Sequence, residues 1–335
     1  MTLRKNDGVP TISDVAAGAR VSRSTVSRAF SRPELINPST VELVKKIAAG
    51  LGYVPNHAAR ALSTGLHGNI ALIVPDIENP FFPPLIRAVQ TSADMDGYSV
   101  FIGDSDENSA REIKLADRLI NQVEGFVLAS PRTGQQNIVA LNQRRPVVAI
   151  NRDIRGIPRV LIDPSTGVSD AVAHLAEFGH RTIAYVSGPT ASWSDQQRRL
   201  ALCRAGLKCH IKIRLIAAER PTFDAGVHTV PAVLRSGATA AIAFDDFMAH
   251  GLLSGLADHG ISVPERFSVI GMDDVLGAST FPALTSVSAR CDDAGRIAVQ
   301  LLMGALRGES ADTRSVLRTQ LVVRATTGTV SHRKM

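Results

Sequence analysis

Five side chains near the amino terminus could contact a nucleic acid duplex. Arg23, Ser24, Thr25, Ser27 and Arg28 bring two guanidinium groups and three hydroxyls into one short run. Guanidinium groups donate paired hydrogen bonds to phosphates and guanine edges, and hydroxyls donate or accept at phosphates and bases. These residue types therefore favour contact with both the backbone and the base edges of a major groove.

Polar clusters farther along the chain could bind a small polyhydroxylated molecule. They occupy residues 76–82, 151–153, 193–199, 245–246 and 273–274, where apolar segments end. Carboxylates and an asparagine can accept hydroxyl hydrogens, an arginine can donate, and phenylalanine faces can stack on a sugar ring. Because open parallel sheets bind ligands beyond the carboxyl ends of their strands, the clusters predict a ligand cleft.

Two helices and a tight turn would position the amino-terminal run. Thr11 or Ser13 can cap the first helix and Ser22 the second, in which Val26 and Phe30 lie one turn apart on the inner face. The five polar side chains then share the outer face. The helix amino terminus itself favours a nearby phosphate.

A third helix, capped by Ser39 or Thr40, would close a small core and expose Lys45 and Lys46. A helical hairpin with a solvated polar face gives the same pattern, but the charge distribution disfavours it. Residues 1–67 carry nine lysines and arginines against four carboxylates, most of the net charge of +6 for the 335 residues. A cationic head on a nearly neutral body is typical of a chain whose head meets a polyanion.

The rest of the chain alternates apolar segments with helical stretches. The segments expected to be strands are 70–74, 99–102, 125–128, 147–150, 182–186, 240–244 and 268–271. Such alternation predicts α/β architecture with parallel sheets. No GxGxxG follows a strand, and no GxxxxGK[ST], GxSxG or HExxH motif is present, so nucleotide and hydrolase chemistry lose their main support.

Composition bounds the function further. No segment approaches the roughly 18 consecutive apolar residues of a membrane span, and the first residues lack the apolar core of a signal peptide. We therefore expect a cytoplasmic protein with no membrane partner. The three cysteines, Cys203, Cys209 and Cys291, include no CxxC pair and indicate reduced thiols, and we expect no metal site and no cofactor.

Four stretches carry a resemblance to a known family: TISDVA at 11–16, VSRSTVSR at 21–28, LGYVPN at 51–56 and ARAL at 59–62. They resemble the DNA-binding head of the LacI/GalR family of bacterial transcription repressors, and the likeness continues to about residue 330. The resemblance implies that Arg23 and Ser24 read bases, and that Thr25, Ser27 and Arg28 contact bases or phosphates.

Residues 56–65 have the composition of a short hinge helix that needs support, because isolated helices below about 12 residues are marginal in water. The resemblance implies that two such helices from a dimer pack together in the minor groove. Asn56, Ala59 and Leu62 are the residues expected at the DNA, with Leu62 as an apolar wedge between base steps. An ordinary linker whose Leu62 covers the body is the alternative.

His180 and the stretches TIAYVSGP, VPERFSVIGMDD and PALTSV resemble the body of the same family, in the same order. The implied fold is an all-α helix-turn-helix head followed by a periplasmic-binding-protein-like α/β body of two similar parallel-sheet subdomains around a cleft. The expected organisation is a disordered segment 1–10, a helix-turn-helix domain 11–55, a hinge helix and linker 56–67, an effector-binding and dimerisation domain 68–330 and a tail 331–335. Subdomain one would hold 68–162 and 290–318, and subdomain two 163–289 and 319–330.

The resemblance also implies an effector in that cleft, contacted by Phe81, Phe82, Asn151, Arg152, Arg198, Asp245 and Asp273. Plainer roles stay open for most of them. The two phenylalanines suit a core equally well, both aspartates could cap helices, and Arg199 could take the place of Arg198. Two buried guanidinium groups, Arg152 and Arg198, would favour an acidic sugar, because each needs an anion to offset its desolvation.

Three positions depart from the family pattern. Arg20 replaces the usual turn glycine, where a positive φ would cost on the order of 1 kcal/mol. Pro221 stands where the family often has a stacking aromatic residue, and Ala201 where glycine is usual. Trp193, near the expected cleft mouth, could replace the lost ring.

These features predict a homodimeric repressor of carbohydrate or related metabolic genes that binds a near-palindromic DNA operator and is released by a sugar or sugar acid. The competing classes are a periplasmic-type solute-binding protein without a transcription role, a sugar-modifying enzyme using His180, Asp245 and Asp273, and a nonspecific nucleoid protein. The basic head disfavours the first, and the large body disfavours the third. Because no nucleophile and base have a recognisable spacing, we expect no enzymatic activity.

Overall fold

The computed structural model describes residues 10–54, 68–309 and 312–330 and divides into two compact units, residues 1–67 and 68–335. Each unit has its own hydrophobic core. The boundary coincides with the change from a cationic segment to a nearly neutral one. The hinge 56–67, the tail 331–335 and residues 1–9 lie outside the described residues.

Residues 10–54 of the head form three α-helices: α1 (Ile12–Ala19), α2 (Arg23–Ser31) and α3 (Pro38–Leu51). Thr11 caps the start of α1, and its backbone N–H and its hydroxyl donate to the Asp14 carboxylate at 2.8 and 2.7 Å. Arg20 ends α1 at φ 55°, the positive φ predicted for the turn. The Ser22 hydroxyl caps α2, as predicted, by accepting from the Thr25 N–H at 3.1 Å.

The start of α3 shows that the predicted caps, Ser39 and Thr40, were wrong. The helix begins at Pro38, and the side chain of Asn37 caps it by accepting from the Ser39 N–H at 3.0 Å. Proline suits the first helical position because its missing N–H would have no partner within the helix. Asn37 and Pro38 together therefore mark the beginning of α3.

The inner faces of the three helices meet in a small core in which Val15, Val26 and Val44 are fully buried. The ring of Phe30 lies 6.1 Å from the ring of Tyr53, at the edge of the same core. Burial of this side of α2 orients its opposite face toward solvent, as the sequence pattern predicted.

The described part of the body contains twelve strands. They are β1 (Asn69–Val74), β2 (Ser99–Asp104), β3 (Phe126–Ala129), β4 (Val147–Ile150), β5 (Arg159–Asp163), β6 (Thr182–Val186), β7 (Lys212–Ile216), β8 (Ala240–Ala243), β9 (Ser268–Asp273), β10 (Thr285–Ser288), β11 (Arg314–Arg318) and β12 (Gln320–Val322). They form two six-stranded sheets, in the orders β11-β5-β4-β3-β1-β2 and β12-β10-β9-β8-β6-β7. The first sheet defines subdomain one and the second defines subdomain two.

Eight helices of the described body cover the faces of these sheets. They are α4 (Phe82–Met95), α5 (Ser109–Leu119), α6 (Gln135–Arg144), α7 (Ser165–Glu177), α8 (Trp193–Cys209), α9 (Phe223–Arg235), α10 (Asp246–Asp258) and α11 (Cys291–Leu306). Each sheet is packed on both faces, with one apolar cluster on each side. Within the described ranges, no helix combines the length and apolar character needed to cross a membrane.

The chain passes between the two sheets three times, after Asp163, Ser288 and Arg318. All pairings in the first sheet are parallel, as expected. In the second sheet β12 pairs antiparallel with β10, so this sheet is mixed rather than wholly parallel.

The strands with continuous apolar runs are the ones that the sequence pattern located well. Those over 147–150 and 182–186 have the predicted bounds. By contrast, β7 was missed because its sequence, KIRLI, alternates charged and apolar residues, as suits a half-exposed strand at the edge of a sheet. The carboxyl ends of the inner strands still place the polar clusters on one side of each sheet.

Candidate functional site

The outer face of α2 carries the five polar residues identified from the sequence. Arg23, Ser24, Ser27 and Arg28 are exposed, and Thr25 is half-buried. The face is rigidly supported, because the opposite side of the helix packs into the head core. It presents two cations and three hydroxyls to solvent.

The cap of α2 also arranges the start of this face. The Ser22 hydroxyl lies 2.7 Å from the Ser24 hydroxyl and 2.8 Å from the Thr25 hydroxyl. Two further cations, Lys45 and Lys46, are exposed on α3. The head therefore carries one cluster of groups suited to base edges and a second suited to phosphates.

Three residues predicted to contact DNA, Asn56, Ala59 and Leu62, lie outside the described residues. Their roles stay predictions.

A cavity lies between the two subdomains of the body. Subdomain one contributes Asn79, Phe81, Phe82, Glu107, Ser130, Arg132 and Asn151, and subdomain two contributes Ser192, Ser194, Arg198, Pro221, Phe244, Asp245 and Asp273. Most of these residues follow the carboxyl end of a strand. The two halves of the cleft thus converge on one polar space with aromatic walls.

Six of the seven predicted effector residues line this cavity, and Arg152 does not. Asn151 adopts φ 54° directly after β4, and its side chain turns inward to accept from the Ile162 N–H at 3.0 Å. Arg152, the next residue, is half-buried and stands outside the cavity lining. The arginine that subdomain one contributes is Arg132, in the loop that follows β3.

Arg198, rather than Arg199, occupies the cavity. Its Nη2 donates to Asp273 Oδ1 at 2.7 Å, its Nη1 donates to the Phe244 carbonyl, and the guanidinium lies 4.6 Å from the centre of the Phe244 ring. Burial lowers the pKa of Arg198, but nearby carboxylates, above all Asp273, outweigh this and raise it overall. Arg199 instead pairs with Asp195 at 2.5 Å, outside the lining.

Asp273 does not cap a helix, because it ends β9 and a long loop follows it. Burial raises the pKa of its carboxyl, and the adjacent Arg198 opposes that shift. Its backbone adopts φ 99°, so the chain turns sharply where the side chain enters the cavity. The cavity contact is therefore the role that the geometry supports.

Asp245 combines the two roles that the sequence left open. Its Oδ1 caps α10 by accepting from the Met248 N–H at 2.8 Å, and its Oδ2 accepts from Asn79 Nδ2 at 2.8 Å. The second bond joins the two subdomains across the cavity. Burial, reinforced by Asp273, raises the pKa of Asp245 to about 7.

Phe81 and Phe82 also combine two roles. Both rings are buried in the core of subdomain one and pack edge to face with centres 5.0 Å apart, yet both line the cavity. Pro221 lines it as well, whereas Trp193 does not, so the described structure offers no support for Trp193 as a replacement ring.

His180 belongs to the core of subdomain two. Its Nδ1 lies 2.7 Å from the Thr239 hydroxyl, and its Nε2 lies 3.1 Å from both the Ser268 hydroxyl and the Gly328 carbonyl. Burial lowers the pKa of His180. Both ring nitrogens are thus engaged in structural contacts away from the cavity.

Several lining residues were not predicted as site residues, among them Asn79, Glu107 and Arg132. Asn79 belongs to the polar cluster 76–82, from which only Phe81 and Phe82 were predicted as site residues. Arg132 and Glu107 follow the ends of β3 and β2, and the strand-end rule alone could have found them. They form an ion pair with Arg132 Nη2 donating to Glu107 Oε1 at 2.7 Å.

Comparisons with known proteins agree with both halves of this architecture. Residues 11–56 match the bacterial regulatory proteins of the lacI family, and residues 172–327 match a periplasmic binding protein-like domain. The chain is 32% identical over 318 residues to catabolite control protein A of Priestia megaterium, covering 91% of this chain and 95% of that protein. The chain belongs to the lacI family of bacterial regulatory proteins. The predicted family is thereby confirmed, and so is its function as a DNA-binding transcription regulator.

Solved structures share the fold of this lacI-family regulator. The Lac repressor dimer bound to operator and the anti-inducer ONPF matches 96% of this chain and 100% of its own with a TM-score of 0.85 at 24% identity. A LacI-family regulator from Enterococcus faecalis with bound ribose matches 78% of this chain and 100% of its own with a TM-score of 0.72 at 28% identity. The predicted helix-turn-helix head and periplasmic-binding-protein-like body are confirmed.

Proposed function

We propose that this regulator is a homodimeric repressor of carbohydrate or related metabolic genes, released from a near-palindromic operator by a small neutral sugar. The observation that carries the proposal is the cavity, where buried carboxylates, arginines and aromatic walls converge from both subdomains. Ribose is bound in the Enterococcus faecalis relative, and the Lac repressor binds its operator as a dimer.

Charge pairing within the cavity favours a neutral sugar over a sugar acid. Arg132 is paired with Glu107, and Arg198 with Asp273. Because each guanidinium already has a carboxylate, neither needs an anionic ligand to offset its desolvation. Asp245 adds a further carboxylate that would repel an acidic ligand once ionised. Because these arginines are already paired with carboxylates, a ligand that presents neutral hydroxyl groups suits the cavity best.

The outer face of α2 would read the operator. Arg23 and Ser24 lie at the start of the helix, where they would reach base edges in the major groove, and Thr25, Ser27 and Arg28 would contact bases or phosphates. One such face spans only a few base pairs. A second copy related by twofold symmetry would supply the matching half-site, which is the reason for proposing a homodimer.

Effector binding would act by changing how the two subdomains sit on each other. They are linked by the Asn79–Asp245 hydrogen bond of 2.8 Å and by the Arg220–Asp106 ion pair of 2.5 Å. A ligand in the cavity must fit beside these two contacts or displace them. Any resulting shift of subdomain one would change the distance between the hinge segments of the two protomers in a dimer. Coupling of this kind is typically about 1–3 kcal/mol and reciprocal, so operator would weaken sugar binding by the same factor.

We infer that the protein binds its effector without converting it. Its relative of similar length is a control protein, and His180, the imidazole of the enzymatic alternative, has both ring nitrogens engaged in the core. Among the described residues no group of three or more His, Cys, Asp or Glu could hold a metal ion.

The test starts with operators selected from a genomic DNA library and follows binding by fluorescence anisotropy with neutral sugars and their acids. Asp273→Asn and Arg198→Met should abolish the sugar response while operator affinity stays within about twofold, because the head is a separate unit. Arg296→Ala, which removes an exposed cation of α11, is the control and should respond normally. A retained response in both cavity variants would exclude the proposed site.

A further inference from the structure

Subdomain one contains a second cavity, distinct from the effector cavity. It lies between α5 and α6 and has a volume of about 160 Å³. Ile113, Ala116, Leu128, Ile138 and Leu141 give it a largely apolar wall. None of these residues lines the effector cavity, so the proposed regulatory function does not use this space.

One charged side chain is buried in the wall of this cavity. Glu112 is only 3% exposed. Its Oε2 accepts from the backbone N–H of Arg132 at 2.8 Å, and the backbone of Thr133 also donates to the carboxyl group. For Oε1, the described residues provide no hydrogen-bond partner. A buried carboxylate oxygen without a partner is costly, so a donor within the cavity would stabilise it.

The other charged groups of the lining do not compensate Glu112. Asp117 and Arg144 pair with each other at 2.8 Å, and both side chains are more than half exposed at the rim. Burial raises the pKa of Glu112, and the backbone N–H groups of Arg132 and Thr133 and the charges of Arg132 and Arg152 oppose this shift without cancelling it. The lining thus combines an apolar wall with one unmatched acidic group.

We propose that this cavity binds a small primary amine with an apolar body, whose ammonium group donates to Glu112 Oε1. The apolar wall accommodates the body of the ligand, and the ammonium group supplies both the hydrogen bond and the positive charge that Glu112 lacks. A neutral alcohol of the same shape would supply only the hydrogen bond. An acidic ligand would be repelled.

The site is connected to the effector cavity by the loop of residues 130–133. Ser130 and Arg132 line the effector cavity, and Thr133 lines the amine cavity. Glu112 holds this loop through the N–H groups of Arg132 and Thr133. An amine on Glu112 would therefore stiffen the loop that carries the Arg132 guanidinium, which makes the second site a regulator of the first.

Benzylamine is a suitable probe, because its ring fits the apolar wall and its ammonium group is at the end of a short stem. Isothermal titration of the purified full-length protein should show binding with a dissociation constant in about the millimolar range, as expected for so small a ligand. Benzyl alcohol should bind at least about tenfold more weakly, since it lacks the charge-assisted hydrogen bond.

Two variants locate the binding. Glu112→Gln keeps an oxygen that can accept from Arg132 but removes the charge, and should weaken benzylamine at least about tenfold. Ala140→Leu obstructs the cavity from the exposed part of its lining and should do the same without touching Glu112. Ala110→Leu, at an exposed alanine of α5 outside the lining, is the matched control and should bind as the unmodified protein does.

The outcome is decisive in either direction. Equal affinities for benzylamine and benzyl alcohol, or undiminished binding by Glu112→Gln, would overturn the proposal. So would the absence of any heat of binding up to about 10 mM, which would mean that the cavity holds solvent only. If Glu112→Gln fails to fold, the comparison of Ala140→Leu with Ala110→Leu decides the matter alone.

Discussion

At the scale of single residues, Asp245 is a buried carboxylate whose proton affinity is set by its surroundings. Its Oδ1 caps α10 by accepting from the Met248 N–H, and its Oδ2 accepts from the side-chain amide of Asn79 in the other subdomain. Burial, together with the charge of Asp273, raises its pKa to about 7, whereas an aspartate in an unfolded chain titrates near 3.9. The folded protein therefore holds a proton that the unfolded chain releases between about pH 4 and pH 7.

This difference makes stability depend on pH. Because the folded state binds the proton more tightly, the free energy of unfolding falls as pH rises from about 4 to about 7. Asp245→Asn cannot ionise, and between pH 5 and pH 7 it should lose about 2 kcal/mol less of its unfolding free energy than the unmodified protein. Urea unfolding at these two pH values measures the difference.

Asp258→Asn, at the exposed end of the same helix, is the matched control and should follow the unmodified protein. Parallel pH profiles for the unmodified protein and Asp245→Asn would show that this carboxyl group titrates normally.

At the scale of the elements, we propose that α2 reads the bases of the operator and that α3 contributes phosphate contacts. Arg23 lies at the exposed start of α2, and Lys45 lies on the exposed face of α3. Arg23→Ala should cost about 1–3 kcal/mol on the operator and relax sequence preference, because a base contact is lost. Lys45→Ala should weaken binding to operator and to random DNA equally. It should also reduce the salt dependence of the binding constant by the amount expected for about one lost phosphate contact.

Anisotropy titrations on both kinds of DNA at several salt concentrations measure these effects. If both variants lost the same affinity on operator and on random DNA, α2 would not be the reading surface.

The start of α3 provides a second prediction at this scale. Asn37 caps the helix, and Ser39, a predicted cap, donates its hydroxyl to the same Asn37 oxygen at 2.7 Å. Asn37→Ala should destabilise the helix by about 1 kcal/mol, because the first N–H groups lose their acceptor. Hydrogen exchange of the α3 amides should quicken about fivefold in Asn37→Ala and clearly less in Ser39→Ala. The reverse order would return the cap to Ser39.

At the scale of the whole molecule, the operator-reading face and the effector cavity lie in separate compact units. The predicted hinge, which includes Leu62 and lies outside the described residues, is the segment that we propose couples them. Leu62→Ala should reduce DNA bending and weaken operator binding by about tenfold or more, because an apolar wedge between base steps is lost.

The melting temperature of the body should stay unchanged in Leu62→Ala. A circular-permutation gel shift measures the bend, and an unaltered bend angle would contradict the proposed wedge.

Local sequence signals predicted most of the framework. Ser22 caps α2 because a hydroxyl before a helical run can accept from an N–H within it, and this requires no knowledge of the rest of the chain. Continuous apolar runs likewise located the buried strands over 147–150 and 182–186. The edge strand over 212–216 escaped, because its half-exposed residues carry no such signal.

The cavity contacts could be predicted only in part. The strand-end rule and the resemblance together identified Asn151, Arg198, Asp245 and Asp273, which all line the cavity. They selected Arg152, which follows β4, whereas the arginine of subdomain one that lines the cavity is Arg132, which follows β3. Which strand end contributes its arginine depends on the packing of the whole subdomain, which local sequence does not specify.

The amino-acid sequence alone determined the family, the cationic head, the polar outer face of α2 and the positions of most of the inner strands, since these depend on neighbours close along the chain. Tertiary structure alone decided which charges meet. Arg198 finds Asp273 across 75 residues, and Arg152, the other arginine that had suggested an acidic ligand, stands outside the cavity lining. The same folding leaves Glu112 Oε1 without a hydrogen-bond partner among the described residues, in a separate cavity, because electrostatic contacts depend on distance in space rather than along the chain.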